Sequence, residues 1–160
     1  MPAQENQKTG GVKGTVLTFM VKNYFSEGSF MIHELTIRPQ FRDTDAFGHV
    51  NYMSTQNWFD RARTDIYREF SAKMDPREIG LVILKVDVLY QKEIFPGNDV
   101  QIRSWVSRIG NKSFTITQEA SQNNELCVTG NIVFCGIDLV RHISAPLSSR
   151  VREVLSRYQP

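Results

Sequence analysis

The chain has 160 residues, the size of one ordinary domain, and its 41% hydrophobic and 22% charged composition is that of a self-supporting globular core. Nineteen basic residues against seventeen acidic ones leave a net charge of +2, which gives no argument for a nucleic acid or a membrane surface as partner. Three histidines and two cysteines form no CxxC, HExxH or clustered pattern, and no glycine-rich phosphate loop appears, so neither a structural metal nor nucleotide capture is expected.

Residues 1–14 are polar, with almost no large apolar side chain, and read as disordered. Val16 to Val21 is apolar but too short to span a bilayer. The first thirty residues are thus a leader, partly disordered and without an assigned role, and residues 31–160 are the expected domain. From Met31 to Arg38 the chain alternates, with His33, Leu35 and Ile37 on one face of a half-buried strand. Residues 39–51 carry Pro39, Gly48, Asn51 and several charges, and read as a loop. Tyr52 to Phe70 then switches to helical spacing, with Tyr52, Phe59, Ala62, Ile66 and Phe70 on one stripe.

Four strand-like runs follow, marked by Val82 to Tyr90, Val100 to Val106, Phe114 to Ala120, and Leu126 to Ile137. Their connectors, Pro96-Gly97-Asn98-Asp99, Gly110-Asn111 and Asn123-Asn124, have turn chemistry, and short turns predict antiparallel neighbours. Leu147, Val151, Val154, Leu155 and Tyr158 predict a short closing helix. Cys127 and Cys135 lie eight apart on one predicted strand, too far to bridge, and read as buried thiols in a reducing, cytoplasmic location. The fold class is α+β: an antiparallel sheet of five or more strands against one long helix. The strands are more apolar than one helix can cover, which points to a partner subunit.

The candidate chemistry lies in the loop before the long helix, Phe41-Arg42-Asp43-Thr44-Asp45-Ala46-Phe47-Gly48-His49-Val50-Asn51-Tyr52. A helix start carries free N–H groups and partial positive charge, so it can hold an oxyanion or polarise a carbonyl. A carboxylate beside it can attack that carbonyl or activate a water. On spacing alone Asp43 and Asp45 are nearly equal candidates, and Asp or Asn near a helix start is ordinarily a cap.

Asp45-Ala46-Phe47-Gly48-His49-Val50-Asn51-Tyr52, followed by Asp60-Arg61-Ala62-Arg63, resembles the hot-dog-fold acyl-CoA thioesterases of the 4-hydroxybenzoyl-CoA thioesterase superfamily. The resemblance runs on through Tyr90, Pro96-Gly97-Asn98-Asp99, Gly110-Asn111-Lys112-Ser113 and Cys135-Gly136-Ile137-Asp138-Leu139. It implies a hot-dog fold, a curved sheet wrapped around a long helix, and hydrolysis of an acyl-CoA to free acid and CoA. It makes Asp45 the nucleophile or general base, and puts the thioester carbonyl oxygen on backbone N–H groups near Tyr52. His49 and Asn51 match the family loop and join the candidate catalytic set, Asn51 being read first as the helix cap and His49 as a brace of the loop. Gly48 and Val50 of the same loop are candidates for substrate contact.

Asp60 stands where the family often has Glu. It lies eight residues past Tyr52, about 12 Å along the helix, and has Arg63 at i+3 as an ion-pair partner. If Asp60 acts, it acts in a site built from two subunits. Arg103, Arg108 and Lys112 flank the Gly110-Asn111 turn and are candidates for the CoA phosphates, with Ser113 as a hydrogen-bond donor. No cofactor or metal is expected, CoA being part of the substrate. The expected assembly is a homodimer or a dimer of dimers. The alternatives are hydrolysis of acyl chains on acyl carrier protein, and an acyl-thioester-binding dimer without catalysis.

Overall fold

The computed structural model describes residues 21–25 and 30–160, and the polar segment 1–14 expected to be disordered lies outside the described residues. The elements in chain order are β1 (Val21–Phe25), β2 (Met31–Ile37), a 3-10 turn at Phe41–Asp43, α1 (Tyr52–Phe70), α2 (Pro76–Ile79), β3 (Leu81–Tyr90), β4 (Val100–Ile109), β5 (Ser113–Gln122), β6 (Glu125–Asp138), β7 (Ile143–Ser144) and α3 (Ser149–Arg157). The antiparallel sheet runs β1-β2-β4-β5-β6-β3, with the short β7 added beside β6. This is the α+β hot-dog architecture: one curved sheet holding one long helix. β1 pairs with β2 with Val21 opposite Leu35, a strand that the alternation from Met31 does not announce.

α1 occupies the span that periodicity predicts. Asn51 is its N-cap, its side chain accepting from the Met53 N–H, and extended backbone at Ser71 ends it. Phe59, Ala62, Ile66 and Phe70 are buried as the stripe requires, together with Trp58, but Tyr52 is 61% exposed and leaves the stripe. It lies in the first turn, on the wall of the cleft described below. Facing the helix, Ile102, Val106, Ile116, Val128 and Ile132 are fully or nearly fully buried from β4, β5 and β6. The Phe59 ring lies so close to the strand that a Cβ built on Gly130 would stand 2.8 Å from it, so β6 needs glycine there.

Two expectations are corrected. The turn chemistry at residues 96–99 suggested that β3 and β4 are neighbours. Instead β3 pairs with β6, with Tyr90 opposite Val128 and Leu81 opposite Gly136, and the 91–99 segment carries the chain across to the other side of the sheet. Turn residues report where a chain bends, and which strand it then meets is decided by the apolar face it presents to the helix. The closing helix begins after Leu147: the Ser148 side chain caps it, and the Leu147 N–H bonds the Asn111 carbonyl instead. Leu147 is still buried, so its apolar signal is genuine although its backbone is not helical. α3 closes the far end of the core, where Val106 donates its N–H to the Tyr158 carbonyl and the Tyr158 hydroxyl reaches Glu69 on α1. Cys127 and Cys135 are buried, free thiols.

β3 is the exposed edge. Ile83, Leu84, Val86 and Leu89 are each at least half exposed, because α1 covers the centre of the sheet and stops short of this strand. The apolar excess expected from composition is concentrated here.

Candidate active site

The loop before α1 is a closed miniature hairpin. Asp45 donates its N–H to the His49 carbonyl at 2.9 Å, Gly48 to the Asp45 carbonyl at 3.2 Å, and Asn51 to the Asp43 carbonyl at 2.7 Å. Gly48 has φ +86 with open space around its Cα, so glycine is required by the left-handed turn and not by crowding. Val50 is buried and donates its N–H to the Ile94 carbonyl at 2.7 Å, tying the loop to the segment that follows β3.

Geometry separates the two carboxylates that spacing left equal. Asp43 turns its side chain back to accept from the Gln40 N–H at 2.8 Å, closing its own 3-10 turn. Asp45 lines a cleft of about 330 Å³ together with His49, Tyr52, Tyr90, Glu93 and Ile94, among others. One Asp45 oxygen accepts from the Phe47 N–H at 2.9 Å, and the other lies 3.3 Å from His49 Nδ1. The opposite ring nitrogen, Nε2, lies 3.6 Å from a Glu93 carboxylate oxygen.

At the helix start, the Met53 N–H goes to the Asn51 side chain at 2.8 Å, and the Ser54 and Thr55 N–H groups go to the Asn51 carbonyl. The first N–H groups of a helix have no intrahelical acceptor. This leaves the Tyr52 N–H as the end-of-helix donor without an acceptor among the described residues, and Tyr52 lines the cleft that Asp45 also lines. The Tyr90 hydroxyl, which accepts from Gln56, stands over the Tyr52 carbonyl at 3.4 Å. Asn51 thus caps the helix. Asn51→Ala should lower the free energy of unfolding by about 1 kcal/mol, with Asn51→Asp retaining most of it, as read by denaturant unfolding.

Asp60 is elsewhere. Its carboxylate accepts from Arg63 Nη2 at 2.9 Å and is 70% exposed, whereas Arg63 is buried. Arg63 also donates to Gln118 at 2.7 Å and to the Tyr67 hydroxyl at 2.9 Å, and Gln118 passes its own N–H groups to the Phe59 carbonyl and Ser104. Burial pushes the Tyr67 phenol up to about 12, so it remains an uncharged partner for Arg63 at neutral pH. Asp60 and Tyr67 border a second, more apolar cleft of about 290 Å³, lined also by Ile79, Leu81, Ile83 and Phe134.

The hairpin residues are also away from Asp45. Ser113 opens β5 opposite Cys135, and Lys112 Nζ reaches the Ser144 carbonyl and hydroxyl. Arg108 is exposed at a bulge in β4. The Leu81 end of β3, which this hairpin adjoins, is eight residues along β6 from the Tyr90 end, about 26 Å at roughly 3.3 Å per residue. One chain therefore does not bring Arg108, Lys112 and Ser113 to its own Asp45 cleft.

Glu93, Thr55 and Val128 on the cleft wall escaped sequence reasoning. Glu93 sits in an ordinary-looking connector, and Val128 reads as core. Only the Val50–Ile94 bond, linking segments more than forty residues apart, could have shown that Glu93 belongs to the loop. Among the described residues no three His, Cys, Asp or Glu side chains stand together as a metal site, and no helix is long and apolar enough to cross a membrane.

Residues 39–155 match the model of the thioesterase-like superfamily. The chain belongs to that superfamily, and thioester hydrolysis is the class of reaction this membership assigns to it. The fold is similar to that of a predicted thioesterase from Bacillus stearothermophilus, with 28% identity, a TM-score of 0.74, and coverage of 81% of this chain and 98% of that one. It is also similar to a thioesterase from Thermus thermophilus complexed with coenzyme A and Zn, with 24% identity, a TM-score of 0.69, and coverage of 76% and 90%. A 1,4-dihydroxy-2-naphthoyl-CoA thioesterase from Synechocystis shares the fold at 15% identity and a TM-score of 0.70, with 78% and 96% covered.

Proposed function

We propose that this protein hydrolyses acyl-CoA thioesters, with Asp45 as the reacting carboxylate and the Tyr52 N–H as the donor to the thioester carbonyl oxygen. The observation that carries this reading is the meeting of both groups on one cleft, with the Asp45 carboxylate held by the Phe47 N–H. As the carbonyl carbon becomes tetrahedral its oxygen gains charge, and a helix-end N–H stabilises that charge more than it stabilises the ground state. Two routes use the same groups. Asp45 takes a proton from water as it adds to the carbonyl carbon, the C–S bond breaks, and the CoA thiolate takes up a proton. Alternatively Asp45 adds directly, expels the thiolate, and the resulting anhydride is cleaved by water. Both give the free acid and CoA thiol, and neither calls for a cofactor.

The reading is tested by free-thiol release from acyl-CoAs varied in chain length and aromatic character, beside the same acyl groups on acyl carrier protein. Turnover of the CoA esters is the expected result. Turnover confined to the carrier-bound substrates, or tight CoA-ester binding without turnover, would replace the assignment with one of the two alternatives.

We further propose that the working site is shared between two copies. The β3 edge is long, apolar and uncovered, and such an edge pairs readily with another strand. Antiparallel pairing of two β3 strands would bring the Leu81 end of one copy beside the Tyr90 end of the other. That places the second cleft, Asp60 and the basic hairpin of one copy near the Asp45 cleft of its partner, which accounts for their separation within one chain. Leu84→Asp combined with Leu89→Asp adds charge at two exposed positions and should yield a folded monomer by sedimentation, with kcat/KM reduced by at least about tenfold. A monomer of undiminished activity would rule out a shared site.

A further inference from the structure

We propose that the Asp45 cleft is a blind pocket for short acyl groups, and that Val128 sets the length it accepts. The inference rests on the reading of Asp45 and the Tyr52 N–H as the groups that meet the thioester, and adds the class of acyl group. The two clefts of the molecule lie along one groove, between α1 on one side and β3 and β6 on the other. Tyr52 and Thr55 line the first together with Tyr90 and Val128, and Asp60 and Tyr67 line the second together with Ile83 and Phe134. Between them the groove is closed. A Cβ built on Gly130 would stand 2.8 Å from the Phe59 ring and 3.6 Å from Val88, the residue opposite Gly130 on β3, so helix and strands meet there.

Exposure grades the lining of the first cleft. Tyr52 and Tyr90 are exposed and form its open part, whereas Thr55, Ile94 and Val128 are only 1–3% exposed. Lining residues with so little exposure are reached only at the inner end. Phe59 stands one helical turn beyond Thr55, and Gly130 lies two residues beyond Val128 on the same face of β6. The Phe59–Gly130 contact is therefore the wall behind the inner end. Val128, Ile94 and Phe59 belong to one buried apolar cluster, so this end is backed by packed core.

This decides which half of the substrate goes where. With the carbonyl oxygen on the Tyr52 N–H, the acyl group and the CoA half leave the reacting carbon in different directions. The whole cleft holds about 330 Å³, near the lower limit for small-molecule sites. A pantetheine arm with its nucleotide cannot enter the closed end of such a cleft, so the CoA half takes the open side and the acyl group the inner end. Phe59 lies seven residues past Tyr52, about 10 Å along the helix axis. An extended hexanoyl group fits within that distance, and octanoyl runs into the wall. Val128 is the lining side chain beside this wall, so its size sets the last carbon that is accepted.

The test is the kcat/KM profile over acetyl-, butyryl-, hexanoyl-, octanoyl- and palmitoyl-CoA for wild type, Val128→Ala and Val128→Ile. Wild type should turn over octanoyl-CoA at least about tenfold less efficiently than hexanoyl-CoA, and palmitoyl-CoA less still, since one methylene too many in an apolar pocket costs about tenfold or more. Val128→Ala should raise the octanoyl-to-hexanoyl ratio by at least about fivefold, and Val128→Ile should lower the hexanoyl-to-butyryl ratio by a similar factor. Ratios are read because any loss of folded protein scales every substrate alike. A wild-type profile that stays level to palmitoyl-CoA, or ratios unmoved in both variants, would overturn the proposal. If the wild-type chain hydrolyses none of these esters, the reading of Asp45 fails on its own, and titration calorimetry of the same esters decides the pocket. Affinity that falls beyond hexanoyl-CoA in wild type and beyond octanoyl-CoA in Val128→Ala would uphold it, and affinity independent of chain length, or no binding, would overturn it.

Discussion

Asp45→Asn should lower kcat for thioester hydrolysis by about 10²–10⁴-fold, the range that a positioned acid–base group supplies, and leave KM within a few-fold. Asparagine is nearly isosteric, and its side-chain oxygen can still accept from the Phe47 N–H, so the loop keeps its turn. It can neither take a proton from water nor attack a carbonyl. Asp43→Asn is the control. Asp43 bonds the Gln40 N–H within its own turn and does not line the cleft, so its kcat should stay within a few-fold of wild type. Free-thiol release measures both, with thermal unfolding to show that the variants are folded. Full activity in Asp45→Asn would remove Asp45 from the reaction, and a loss confined to Asp43→Asn would transfer the role to the other carboxylate.

Phe59→Ala should cost about 3–5 kcal/mol of folding stability, the range for removing a buried aromatic ring. The ring is wholly buried, lies against the Gly130 backbone, and packs in one cluster with Trp58, Ala62 and Val128. For a domain of this size the loss corresponds to a fall in Tm of roughly 6–20 °C. The effect should reach the site. Phe59 lies two turns from Tyr52 and bonds Gln118 through its carbonyl, so loosening this contact frees the first half of α1 to shift. Denaturant unfolding gives the stability, and a loss below about 1 kcal/mol would show that the helix is not anchored there.

What was legible depended on range. α1 was readable in full because its signals are local: a periodic stripe, an Asn at the cap, and a loop of turn residues before it. The strands β2 to β6 were readable to within a few residues because alternation is also local, whereas β1 and the two-residue β7 were not read. The departure of Tyr52 from the stripe was not, since spacing does not record that this residue lines a cleft. Sheet order was not readable either. The residues at 96–99 have turn chemistry whether the next strand lies beside the last or across the sheet.

The candidate site divides in the same way. Asp45, Gly48, Asn51 and Tyr52 fall within eight residues, so their loop and its helix start could be read as one unit. Glu93 and Tyr90 come from beyond the loop and its helix, and reach it through a backbone bond between Val50 and Ile94 that no composition announces. The basic hairpin was recognisable as a hairpin, but its distance from Asp45 follows from the register of β3 on β6.

The sequence alone thus determined the long helix, the closing helix and the strands β2 to β6, the hot-dog resemblance, and the loop where a carboxylate meets a helix N-terminus, because each is written in contacts within a few residues. Tertiary structure decided the rest. It turned the Asp43 carboxylate back onto the Gln40 N–H and Asp45 into the cleft, set Glu93 beside His49, and left β3 as an uncovered apolar edge. These outcomes depend on long-range pairing and on the reach of one helix over a curved sheet, and short-range patterns carry no record of either.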